Sequence, residues 1–165
     1  MRLAAALLAC LSILATGCGG DKKKPGTTGG NGSQRSTAGD SKGAESTVRG
    51  YLRALVDKDG GDACDKLTPD YQKQVVDQNR DFARQNGVSD CAGLIGAVVK
   101  RTPSTTFEGQ PLNKETVEKI RLRTTVRQNG KEQNATVAGR QGLQSFELFT
   151  TNGKWAISQI DQAGG

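Results

Sequence analysis

The sequence predicts an α+β fold, with helices first and a curved antiparallel sheet after them. Between Val48 and Val99 the large apolar residues recur at helical spacing. Beyond Pro103 the period drops to two, and turn signals at Asn129-Gly130, residues 139–142 and Asn152-Gly153 cut the chain into hairpins. Helices segregated ahead of an antiparallel meander define the α+β class.

Each element follows from a local pattern. Val48, Tyr51, Leu52, Leu55 and Val56 form the apolar stripe of a first helix over residues 44–58, stopped by Asp59-Gly60-Gly61-Asp62. A short turn then carries Ala63, Cys64 and Leu67. Thr68-Pro69 reads as an N-cap followed by proline in the first turn, opening a second helix. That helix runs through Tyr71, Val75, Val76, Phe82 and Ala83 to Asn86-Gly87. Ser89 is placed to cap a third, with Cys91, Leu94, Ile95, Val98 and Val99 on one face. Next, Ile120, Leu122, Thr124 and Val126 alternate with Arg121, Arg123, Thr125 and Arg127, giving a strand with one apolar and one basic face. Ala135 and Val137, then Phe146 and Leu148, then Trp155, Ile157 and Ile160 mark three more strands. Thr105, Phe107 and Glu108 suggest a further short one. Sheet curvature around a helix would suit the lean composition, in which 34% of residues are hydrophobic and 4% aromatic.

The N-terminus carries an address. Arg2 precedes an apolar run over residues 3–16, shorter than the ~20 residues that span a bilayer but right for a secretory signal peptide. The run ends in Leu14-Ala15-Thr16-Gly17-Cys18, which resembles the lipobox of bacterial lipoproteins, with Ala15 where that family prefers leucine. The resemblance implies cleavage after residue 17, diacylglyceryl on the Cys18 thiol and attachment to the extracytoplasmic face of the cell membrane. Residues 18–43 then contain no large apolar side chain and read as a flexible tether reaching roughly 25–30 Å. Residues 44–165 are left for the domain.

The cysteine count fits this reading. Of four cysteines, Cys10 falls in the discarded run and Cys18 takes the lipid. Cys64 and Cys91 remain, and in an exported domain such a pair suggests a disulfide. The alternative of metal ligation lacks partners, since no CxxC motif and no histidine is present. Neither a metal nor a cofactor site is expected; Gly29-Gly30-Asn31-Gly32 lies in the tether and follows no strand.

The net charge is +6. Of the 23 basic and 17 acidic residues, six and two precede Ala44, so the domain itself carries only +2. Nucleic-acid binding is not expected, because such proteins concentrate basic charge on the domain. Lys22-Lys23-Lys24 reads either as a juxtamembrane cluster for anionic lipid or as a solvated linker. The basic strand face of Arg121, Arg123 and Arg127, with Lys119 nearby, has two readings as well. It binds an anionic partner, or it is a solvated face paired with charges across the sheet.

The pattern Val48-Arg49-Gly50-Tyr51-Leu52-Arg53-Ala54-Leu55 followed by Asp59-Gly60-Gly61-Asp62 resembles the opening helix of nuclear transport factor 2-like domains. Gly153-Lys154-Trp155-Ala156-Ile157 resembles their closing hairpin. With Cys64 and Cys91 included, the chain is similar to small actinobacterial lipoproteins of that fold. The resemblance implies a cone of curved sheet closed by helices. It does not choose a function, because such domains include enzymes, binding proteins and accessory modules. Without histidine, the Asp/His pairing of the dehydratase members has no counterpart here. Tyr51, Tyr71 and Trp155 read as core residues. Asp62, Asp65 and Asp70 read as helix-end residues, and Asp161 as exposed. The expectation is therefore a non-catalytic domain, anchored through Cys18, that binds a small ligand or a protein. The alternatives are a pocket enzyme of isomerase or hydratase type using a buried carboxylate, and an accessory domain of cell-wall or secretion machinery.

Overall fold

The computed structural model describes residues 38–129 and 132–162. The segment expected to be a signal peptide, Cys18, the lysine cluster and the other residues up to 37 lie outside the described residues. What is described is a mixed helix-and-sheet fold whose helices precede a four-stranded antiparallel sheet.

Helix α1 (Ala38–Val56) begins inside the stretch expected to be tether, so residues 38–43 are helical rather than linker. The helix turns Ala44, Val48 and Leu52 into the core and lies against the sheet. It ends where Lys58 adopts a φ of 59° and Asp59 N–H donates to Ala54 O at 2.8 Å. This is a Schellman-type stop with lysine in the position that favours glycine. The Asp59-Gly60-Gly61-Asp62 stop is itself the start of a short helix, α2 (Gly60–Cys64), capped by the Asp59 carboxylate on Asp62 N–H.

Helix α3 (Pro69–Gln78) has the expected Thr68 cap, which accepts from Tyr71 N–H. It does not run on to Ala83. The Asn79 amide donates to Val75 O at 2.8 Å, competing with the helix ladder, and α4 (Arg80–Gln85) starts anew. Helix α5 (Cys91–Arg101) is capped by Asp90, not Ser89; the Asp90 carboxylate accepts from Gly93 N–H at 2.7 Å.

The suggested strand near Phe107 is one arm of a small hairpin, β1 (Thr106–Phe107) with β2 (Gln110–Pro111), turning through Glu108 (φ 48°) and Gly109 (φ 75°). Helix α6 (Lys114–Lys119) was not expected. Asn113 and Thr116 form a capping box at its start, and Val117 is its buried anchor.

Strand β3 (Leu122–Asn129) therefore starts after Ile120 and Arg121, which belong to the α6–β3 connection. Strands β4 (Glu132–Gly139), β5 (Gln144–Thr151) and β6 (Lys154–Gln162) complete a meander in the order β3-β4-β5-β6. Asn152 and Gly153 both adopt positive φ in the last turn, as a tight hairpin requires. The inner face pairs Val126 with Ala135, Val137 with Phe146, and Leu148 with Ile157. Phe146 is fully buried, stacked on Phe107 and edge-on to Tyr51, each at 6.2 Å between centroids.

The outer edge of β6 is covered. Thr68 N–H donates to Ile157 O and Ile157 N–H to Lys66 O, both at 2.8 Å, and Ile160 N–H donates to the Tyr71 hydroxyl at 3.2 Å. These bonds tie the helical half to the sheet by backbone, not only by apolar contact.

Candidate functional site

Arg121, Arg123 and Arg127 are all exposed, as expected, but they do not form one continuous strand face. Arg123 and Arg127 project with Thr125 from the outer face of β3, while Arg121 precedes the strand. Among the described residues, no charge lies directly opposite Arg123 or Arg127. Arg123 lies opposite Ala138 and Arg127 opposite Asn134. Among the described residues, none of the three forms an ion pair; Arg123 reaches only the Gly139 carbonyl, at 3.5 Å. Glu147, the acid nearest the middle of that face, accepts from the Thr136 hydroxyl at 3.0 Å.

The pairing register brings in a cation that sequence reading passed over. Leu122 pairs with Gly139, so Arg121, just before β3, and Arg140, just after β4, flank the same end of the strand pair. Both line a groove of about 390 Å³ formed by the β1–β2 hairpin, the end of α6 and the β4–β5 turn. Phe107, Pro111, Leu112 and Ile120 supply its apolar lining, and Lys119 stands at its rim. Lys119 pairs with Glu115 one helical turn back, whereas Arg121 and Arg140 have no ion-pair partner among the described residues.

Two side chains hold the walls in place. Arg49 of α1 donates to Val117 O (2.7 Å), Glu118 O (3.1 Å) and Ile120 O (2.6 Å), satisfying the carbonyl end of α6. Its neighbour Arg53 pairs with Glu118. Glu108 lies in the groove, and its two carboxylate oxygens accept from Gln141 N–H (3.1 Å) and Leu143 N–H (3.0 Å). A Cβ on Gly139 would sit 2.2 Å from the Glu108 carboxyl carbon, so glycine is needed for this approach. The strained Glu108 backbone is thus locked against the β4–β5 turn.

A second, larger groove of about 620 Å³ lies beside the α2–α5 crossing. Its rim alternates Asp57 and Asp59 with Lys58, Lys100 and Arg101, so no sign of charge dominates. Cys64 and Cys91 are joined by a disulfide beneath it, with Cα atoms 5.9 Å apart.

The remaining residues singled out by sequence take structural places. Tyr71 is buried and Tyr51 packs against the core; burial raises both phenols above their usual range. Trp155 lies against Gly43 of α1, where a Cβ would come within 2.7 Å of the indole. Asp62 and Asp70 occupy first helical turns and Asp65 a C-cap, all exposed. Asp161 is half-buried rather than exposed, and accepts from the Gln159 amide at 2.7 Å.

Among the described residues, no charged side chain is buried. Among the described residues, no three His, Cys, Asp or Glu side chains converge to hold a metal, and no helix is long and apolar enough to cross a membrane. Compared with protein families, curated proteins and solved structures, the chain matches none.

Proposed function

We propose that the chain is a lipoprotein anchored through Cys18 to the extracytoplasmic face of the cell membrane, with a non-catalytic binding domain of nuclear transport factor 2-like type. The Cys64–Cys91 disulfide carries the reading. Such a bond persists in oxidising, exported compartments, and it leaves Cys18 as the remaining cysteine beyond the apolar run. The Leu14-Ala15-Thr16-Gly17-Cys18 pattern supplies the means of export and anchoring.

Helices ahead of a meander and a closing hairpin with Trp155 against α1 support the fold reading. So does the register shift between Glu147 and Leu148, because bulges bend the strands that carry them. Binding rather than catalysis is supported by the division of charge. The space between α1 and the sheet is filled by apolar side chains such as Leu52, Phe146 and Leu148, while Arg121, Arg123 and Arg127 are exposed and form no ion pair among the described residues. An anionic partner at the cell envelope is the ligand this arrangement suits, held more weakly as salt rises.

Mass spectrometry of the mature protein from bacterial membranes tests the anchor. The expected N-terminal residue is Cys18 carrying diacylglycerol; a free Cys18 thiol or an intact residue 1–17 segment would overturn it.

A further inference from the structure

We infer that the groove between Arg121 and Arg140 is a site for a small amphiphilic anion, a phosphate or carboxylate head joined to an apolar group. This deepens the binding role proposed above and rests on it. The site lies outside the apolar space between α1 and the sheet, and four features of it point to such a ligand.

First, the β3–β4 register sets Arg121 and Arg140 at the same end of the strand pair, both line the groove, and neither forms an ion pair among the described residues. Guanidinium groups suit planar or tetrahedral oxyanions, which they grip with paired N–H bonds. Second, the acid within the groove, Glu108, forms no ion pair with them; its two carboxylate oxygens accept from the Gln141 and Leu143 amides instead. Third, Phe107, Pro111 and Leu112 give the same groove an apolar side, and its volume of about 390 Å³ falls in the small-ligand range. Fourth, the walls are preformed. Arg49 fixes the α6–β3 connection and Glu108 fixes the β4–β5 turn, so little ordering is left to oppose binding. A head alone would leave the apolar side wet, and an apolar group alone would leave the cations unpaired.

The test uses the full chain in nanodiscs of zwitterionic phospholipid, titrated calorimetrically with phenyl phosphate, inorganic phosphate and phenol. Saturable binding of phenyl phosphate is expected, at least tenfold tighter than either half-ligand. Arg121→Gln and Arg140→Gln should each weaken it about tenfold. Arg127→Gln, at the far end of β3, should leave it unchanged. All three positions are exposed, and unfolding curves matching the parent establish that each variant is folded. Absence of saturable binding overturns the site. Equal affinity for inorganic phosphate overturns the apolar half of it. Equal weakening by Arg127→Gln assigns the attraction to the whole basic surface and overturns the groove. Mass spectrometry of the same preparation scores the lipid on Cys18, so failure of the groove and failure of the anchor are distinguished.

Discussion

At the α2–α5 crossing, backbone meets backbone. A Cβ on Gly60 would sit 2.1 Å from Ala92 O and 2.5 Å from Gly96 N, and the Cys64–Cys91 disulfide spans the same contact. At the groove corner of the sheet, by contrast, side chains reach for backbone. Arg49 takes three carbonyls and Glu108 takes two amides. The first corner depends on atomic volume and a covalent link. The second depends on charge and hydrogen bonding, and it leaves unpaired cations at its lip.

The largest effect should come from breaking the covalent half of that contrast. Cys64→Ser with Cys91→Ser releases the loop between them, and on chain-entropy grounds stability should fall by on the order of 3–4 kcal/mol. Urea unfolding measures the loss. Amide exchange should rise first in α2 and α5, with β4 and β5 the last to open.

Gly60→Ala should cost about 3 kcal/mol, near the upper end of over-packing, because the new methyl meets backbone that no rotamer change can move. The comparison is Gly61→Ala. Gly61 is exposed and its Cβ would approach only the Asp59 carboxylate, at 3.3 Å, so that change should be near neutral. Equal losses at the two glycines would remove the close-contact explanation.

At the other corner, Arg49→Ala should destabilise by about 2 kcal/mol, the scale of hydrogen bonds made by a charged donor. Its signature should be local, with exchange rising in α6 and the α6–β3 connection ahead of α2 and α5. A uniform rise would show that the two corners open together.

The smallest effect has the opposite sign. Lys58 holds a left-handed conformation that costs a side-chain-bearing residue about 1–2 kcal/mol, partly offset by the extra unfolded-state freedom of glycine. Lys58→Gly should therefore raise stability by up to about 1 kcal/mol, read as a higher midpoint in thermal unfolding.

Much of the architecture was legible from local patterns. The apolar stripe of α1, the Thr68-Pro69 start and the Asn86-Gly87 and Asn152-Gly153 stops are each written within a few residues, and each stands in the structure. Other features were hidden for physical reasons. Helix α6 has one buried residue, Val117, among charged neighbours, so no periodicity marks it; its one readable signal was the Asn113–Thr116 capping box. The break at Asn79 comes from a single side chain competing for a carbonyl, inside a stripe that otherwise continues. Gly60 looks the same in sequence whether it stops a helix or admits a neighbouring backbone. Arg140 sits in a turn, and nothing nearby links it to Arg121.

The sequence by itself determined the helix-then-strand order, the Thr68 cap, the Asn152-Gly153 turn and the cysteines that pair. These rest on interactions between residues a few positions apart or on the chemistry of one side-chain type. Its Leu14-Ala15-Thr16-Gly17-Cys18 pattern also supplies the case for Cys18, which lies outside the described residues, beside the support of the Cys64–Cys91 disulfide. Only the tertiary structure decided that no charge lies directly opposite Arg123 or Arg127, that Arg121 and Arg140 line one groove, and that the Glu108 carboxylate accepts from the β4–β5 turn. Strand register and helix-crossing distance make those contacts. Both are fixed by the packing of distant segments, so no local stretch of the chain encodes them.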